Sequence, residues 1–363
     1  MRNQLLALVS TLTAAIAGQP STASACTMPS NARVHVYWTT ARPTSGDDRC
    51  TVQIDGTLAC HLSGWLITPT LSTGSNLPAL VYVHGSGKAK STSSTCELVS
   101  YYTSRGYVVW MPYMRGVGDK TGGVTPSLQN SNLSAGFQNT GAYIDDWSDE
   151  QSDPSGPNYG WYTAALRGLL GPDATLTTKD YKAITTIEYM DDEVGDVQAA
   201  LTYLVGQPGL NGLGKLVDPN RIALTGHSYG GVTVVRGSAQ PLTPMPKLVV
   251  DMSGGALSWN SSRVWSIEMR DSASQHQYPL MAQIVEGEST AGTLPADEVY
   301  DAAQTQRFIA KYSTFTLSTD DINDCNAQGY TTEHCKHVHF MTDFDQVQRW
   351  APGVRAVMQS LGI

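Results

Sequence analysis

Gly226-His227-Ser228-Tyr229-Gly230-Gly231 follows the apolar run Arg221-Ile222-Ala223-Leu224-Thr225 and precedes Val232-Thr233-Val234-Val235, so a G-x-S-x-G pattern sits between a strand and a helix. No other stretch constrains the fold as much. A strand that hands a serine to a helix through a sharp turn belongs to an α/β sheet, and it leaves one hydroxyl standing above the strand's carboxyl end. Gly226 and Gly230 make that turn possible, because a Cβ at either position would collide with it. Ser228 is the candidate nucleophile.

The rest of the chain alternates in the same manner. Ala79-Leu80-Val81-Tyr82-Val83 is a continuous apolar run ending in His84-Gly85-Ser86-Gly87, and Tyr107 to Pro112 is another that ends near Arg115-Gly116. Buried parallel strands read this way. Further runs lie at Leu248-Val249-Val250, Leu280 to Val285 and Tyr312 to Leu317. Arg33 to Trp38 and Gly64 to Pro69 alternate partly, as strands of an entry hairpin do. Apolar residues at helical spacing run from Ile187 to Val205, and a last helix is expected from about Phe344 to the end. Strands alternating with helices at this spacing predict a mostly parallel central sheet with helices on both faces.

Between Asp119 and Thr186 the pattern breaks into Gly, Ser, Asn and Asp with Trp147, Tyr159, Trp161 and Tyr162. A loop-rich segment of this length at the carboxyl end of a strand is expected to be an inserted lid or binding loop rather than a second core. Residues 26–363 are then one domain carrying a lid-like insertion at about 119–186, and 41% hydrophobic composition suffices for its core.

Met1-Arg2 followed by Leu5 to Val9 and Ala14 to Ala17 has the form of a short basic start and an apolar segment, and Ala23-Ser24-Ala25 offers a cleavage site. Residues 1–25 are expected to be a signal peptide, with the mature protein secreted or periplasmic. A membrane span is excluded, since Ser10, Thr11 and Thr13 break a stretch already too short to cross a bilayer. All six cysteines then lie in an oxidising compartment, and the short separations favour Cys50–Cys60 and Cys325–Cys335, leaving Cys26–Cys96. A net charge of −9 argues against nucleic acid as a partner, whereas small molecules or polymers remain open.

Together these features resemble the α/β-hydrolase superfamily, and within it the dienelactone-hydrolase-like and prolyl-oligopeptidase-like serine esterases and peptidases. The matching pieces are His84 to Gly87, Tyr113 to Gly118, Asp196 to Leu201 in the helix before the turn, and Gly226 to Gly231 itself. They place the resemblance over roughly residues 33 to 118 and 187 to 363.

A serine hydroxyl needs a base to take its proton and a carboxylate to orient that base, and this fold supplies them in the chain order Ser, acid, His. His276, His334, His337 and His339 follow Ser228, and the last three come after the final strand, where the family places its histidine. Asp343-Phe344-Asp345-Gln346 has the form that opens a helix, so His339 lies one short loop before it and is the first choice, with His337 the second.

For the acid, the resemblance implies an aspartate three residues after a glycine that follows the strand before last; here Gly287 leads to Glu288-Ser289-Thr290 instead. Glu288 offers a carboxylate from the same loop and is the first choice, with Glu286, Asp297 and Asp251 as alternates. The oxyanion donors implied are the backbone N–H of Tyr229 and one from Ser86 or Gly85. His84 precedes Ser228 and is expected to be structural. The expected activity is hydrolysis of small-molecule or polymer carboxylic esters through an acyl-enzyme, a mechanism that calls for no metal or cofactor. A peptidase is the near alternative, disfavoured because too little chain precedes the core strands to form a propeller. An inactive hydrolase fold used as a binding module is the alternative of another class.

Overall fold

The computed structural model describes residues 29–39, 50–52, 58–69, 74–85, 95–114, 153–156, 158–254, 262–285, 295–304, 310–317, 319–327, 329, 331–332, 335–337 and 344–363. Among them, nine strands form one sheet: β1 (Arg33–Thr39), β2 (Cys50–Val52), β3 (Leu58–Ile67), β4 (Leu77–Val83), β5 (Val108–Pro112), β6 (Val217–His227), β7 (Leu248–Met252), β8 (Leu280–Val285) and β9 (Ala310–Phe315). The order is β1-β3-β5-β4-β6-β7-β8-β9, with β2 also beside β3. Every neighbouring pair from β5 to β9 is parallel. By contrast, β3 runs antiparallel to β1, β2 and β5. This is the α/β-hydrolase fold, with the entry hairpin at one edge of a mostly parallel sheet.

The helices are α1 (Cys96–Thr103), α2 (Tyr159–Leu170), α3 (Thr178–Gly206), α4 (Tyr229–Ser238), α5 (Arg263–Ser274), α6 (Pro295–Ala303), α7 (Thr319–Ala327) and α8 (Phe344–Ser360). Successive strand residues point to opposite faces, so each continuous apolar run feeds two cores. Ala79, Val81, Val83, Ile222, Leu224, Val249, Leu280, Ala282 and Ile284 pack in one cluster with residues of α2 to α6. The alternate positions, Leu80, Tyr82, Ala223, Leu248, Val250, Met252, Met281 and Val285, pack in another with α1 and α8.

The stretch expected to be loop-rich up to Thr186 is helical over much of its second half. Tyr162 and Leu166 of α2, spaced to share a helix face, join the core of α3. The long helix begins at Thr178, nine positions before Ile187, where Thr177 and Asp180 form a reciprocal capping box. Residues 115–152 lie outside the described residues.

Cys325 and Cys335 are disulfide-bonded, with Cα atoms 5.9 Å apart. Cys50 and Cys60 stand directly opposite one another in the β2–β3 register. Cys96 is disulfide-bonded, and its expected partner, Cys26, lies outside the described residues together with the expected signal peptide. No cysteine among the described residues is free. No helix among them is long and apolar enough to cross a membrane.

Candidate active site

From β4 the chain proceeds to β5 on one side and later returns to place β6 on the other. Such a reversal opens a crevice at the carboxyl ends of the two central strands, because the connections leave in opposite directions. Gly85 follows the end of β4 and Ser228 the end of β6, so both lie at that crevice.

Ser228 has φ 57° and ψ −121°, a left-handed conformation that an L-residue holds only under constraint, at about 1–3 kcal/mol. Its N–H donates to the carbonyl of Met252 at 3.0 Å, and its carbonyl accepts from Val232 inside α4. The glycines are required by space: a Cβ on Gly226 would stand 2.0 Å from the carbonyl oxygen of Gly230, and one on Gly230 would stand 2.3 Å from that of Val83. A β-carbon on Gly85 would lie 3.1 Å from that of Ser228, so the bare backbone after β4 runs against the serine.

His337 Nε2 lies 2.7 Å from Ser228 Oγ. Of the two late histidines it is therefore the second choice that stands against the serine; His339, the first choice, lies outside the described residues. The placement follows from Cys335. That residue is buried and bonded to Cys325 in α7, so it pins the short helical turn 335–337 and brings His337 to the elbow. Distance along the chain to α8 carried no information about this pin. His276, also after the elbow, is buried elsewhere between the carbonyls of Tyr278 and Ala303.

His84 acts as a clamp. Met114 N–H donates to its Nε2 at 3.3 Å, which leaves the proton on Nδ1, and Nδ1–H donates to the carbonyl of Gly85 at 2.8 Å. Burial holds its pKa below the usual histidine value, so the ring is neutral and ties the loop after β4 to the end of β5. Tyr229 is the first residue of α4, and its backbone N–H is one of those a helix leaves without an intrahelical acceptor. Ser86 lies outside the described residues.

Of the four candidate carboxylates, Asp251 alone has its side chain among the described residues. Glu286 and Glu288 lie outside the described residues, and Asp297 falls in α6 with its side chain outside them. Asp251, buried at the end of β7, accepts the Gly254 N–H at 2.8 Å through Oδ1. A Cβ on Gly231 would meet that oxygen at 2.6 Å, so the carboxylate sits beneath the first turn of α4.

One residue that motif reading passes over is His227, the variable position before the serine. Its Nε2 lies 2.7 Å from the backbone oxygen of His337, and the two rings lie 4.8 Å apart at 33°. Nothing in the motif marks it, since any residue satisfies that position.

Among solved structures, the chain is similar to an acylaminoacyl peptidase of Pyrococcus horikoshii, at 13% identity and TM-score 0.45 over 86% of this chain and 41% of that one. It thus spans well under two thirds of that peptidase's length. A putative dienelactone hydrolase of Klebsiella pneumoniae is similar over 87% of this chain and 96% of its own, at 12% identity and TM-score 0.43. An inhibited esterase B from Lactobacillus rhamnosis is similar over 92% and 89% of the respective chains, at 12% identity and TM-score 0.49. No protein-family model matches the sequence. No curated protein matches it either.

Proposed function

We propose that the chain is a secreted or periplasmic serine hydrolase that cleaves carboxylic esters through an acyl-enzyme intermediate. The observation that carries this reading is the 2.7 Å contact between His337 Nε2 and Ser228 Oγ at a strained, partly exposed elbow. In the ground state the serine hydroxyl donates to Nε2 of His337. As Oγ attacks the ester carbonyl carbon, the proton passes to Nε2 and the carbonyl π electrons move onto oxygen. The resulting oxyanion is met by the N–H of Tyr229 and one from Gly85 or Ser86, a kind of donor whose loss costs about 10²- to 10³-fold in turnover. Collapse expels the alcohol with the proton from His337, and water then enters by the same base to release the acid. Glu288 is assigned the carboxylate that orients His337.

The test is labelling with a fluorophosphonate together with a panel of p-nitrophenyl esters of increasing chain length and aminoacyl-naphthylamides. The expected result is labelling at Ser228 and ester turnover that Ser228→Ala abolishes with little change in the thermal transition. Activity in that variant above about one per cent of wild type removes Ser228 from the role of nucleophile. Preferential cleavage of the naphthylamides moves the assignment from esterase to peptidase.

A further inference from the structure

We propose that His227 is the positioning residue for the base, its Nε2–H holding the backbone carbonyl of His337 while its ring backs the His337 imidazole, so that base and nucleophile are set by adjacent residues of one strand end. The proposal rests on the Ser228–His337 reading above and deepens it.

A carbonyl oxygen can only accept, so the 2.7 Å contact puts the proton of His227 on Nε2. That nitrogen is engaged by the carbonyl, and the imidazole nitrogen within hydrogen-bond distance of Ser228 Oγ is Nε2 of His337. Its pKa is pushed down to about 3, chiefly by burial and then by the neighbouring His337, against the opposing pull of the carbonyl. The ring accordingly stays neutral when His337 becomes an imidazolium, and no second positive charge faces it.

The chain supplies the reason such a brace is needed. His337 lies 109 positions beyond Ser228, on a turn that follows the sheet's last strand, whereas His227 ends β6 and is paired in register with Met252. Whatever fixes His337 to His227 fixes it to the next residue, Ser228. The disulfide at Cys335 restrains the turn from one side and the imidazole of His227 from the other. A base displaced by about 1 Å can lose on the order of 10²-fold in rate, so a single bond at this place governs kcat.

Three variants test this. His227→Gln carries an amide N–H at the reach of Nε2, His227→Phe keeps a ring without a donor, and His227→Asn keeps an amide too short to reach the carbonyl. In each, kcat and KM for a p-nitrophenyl ester, the thermal transition, and the rate of fluorophosphonate labelling are measured; labelling forms an Oγ–P bond, expels fluoride and passes the hydroxyl proton to His337. The expected result is a fall in kcat of about 10- to 100-fold for the Phe and Asn variants, KM within about twofold, a matching slowing of labelling, and recovery of most of kcat in the Gln variant. Should His227→Phe fail to fold, the Gln and Asn variants carry the comparison alone. Equal kcat in those two, or wild-type kcat in any variant lacking the donor, overturns the proposal. A wild-type protein that takes up no fluorophosphonate overturns the hydrolase reading itself.

Discussion

The hydroxyl of Ser262 donates to Oδ1 of Asp180 at 2.6 Å, across 82 positions of the chain. Asp180 Oδ2 meanwhile accepts from the N–H and hydroxyl of Thr177, the N-cap of α3, while Ser262 caps α5 by accepting from Val264. One carboxylate therefore closes the starts of two helices. Burial alone would raise its pKa; the hydrogen bonds from Ser262 and Thr177 outweigh burial and hold it below the ordinary carboxylate value. Because the folded form binds its proton at lower pH than the unfolded one, the contribution is complete above the unfolded pKa of about 4 and is lost as pH falls through the folded value. Asp180→Asn should cost about 1–3 kcal/mol in urea unfolding at pH 7. The gap to wild type should shrink by pH 3, and a gap that stays constant with acid would show that the charge is irrelevant.

The two late histidines should separate sharply. His337→Ala is expected to lose several orders of magnitude in kcat/KM, since the proton acceptor of Ser228 is gone, and His339→Ala far less. Steady-state ester kinetics on both variants decide this, and the reverse ranking would remove His337 from the base position.

For the acid, the two faces of the sheet matter. Asp251 shares the face of Val249, which packs with α2 to α6, whereas His227 shares the face of Ala223, which packs with α1 and α8. His337 contacts His227, whose place in β6 is on the face opposite to that of Asp251 in β7. Asp251→Asn should therefore keep turnover within about tenfold while lowering stability, and Glu288→Gln should drop turnover by about 10⁴-fold at nearly constant apparent affinity. A crippled Asp251→Asn beside a normal Glu288→Gln would move the acid to the end of β7.

The Cys325–Cys335 bridge closes a loop of ten residues. Restricting the unfolded chain in this way is worth roughly 2–3 kcal/mol, and the bridge is covalently attached to the short turn 335–337 that carries His337. Mild reduction should lower the proposed ester hydrolysis before the near-ultraviolet circular dichroism of the core changes. Simultaneous loss of both signals would mean that the bridge serves the whole domain.

Local features were legible in the sequence, whereas pairings across the chain were not. The strand, two glycines and serine of the elbow sit within a dozen residues, and the near-continuous apolar runs of β4 to β8 record two buried faces directly. The start of α3 was equally local, as Thr177 and Asp180 stand at capping-box spacing, but threonines at 175, 177 and 178 obscured it. In α2, Tyr162 and Leu166 are only two buried side chains among glycines and the exposed Trp161, too sparse for a periodic signal. The ranking of His339 over His337 measured distance to the last helix; the Cys325–Cys335 bridge was legible from its short separation, but which nearby histidine meets Ser228 depends on how that turn docks on the sheet. The bond from His227 to a backbone oxygen leaves no trace in side-chain pattern at all.

The adjacency of β4 and β6 also sets a timetable for the growing chain. These two strands meet at the middle of the sheet, yet roughly 130 residues separate the end of one from the start of the other. At a synthesis rate of about 5–20 residues per second, β4 waits on the order of ten seconds for its permanent neighbour. During that interval Leu80, Val81 and Tyr82, all buried in the finished protein, have one strand edge open. Pairing between distant segments is also slow for a complete chain, because the entropy of closing the loop is spent before contacts form. The nascent protein is therefore most exposed to aggregation before Ser228 has been added, and conditions that shield the β4 edge over those seconds should raise the yield of active protein.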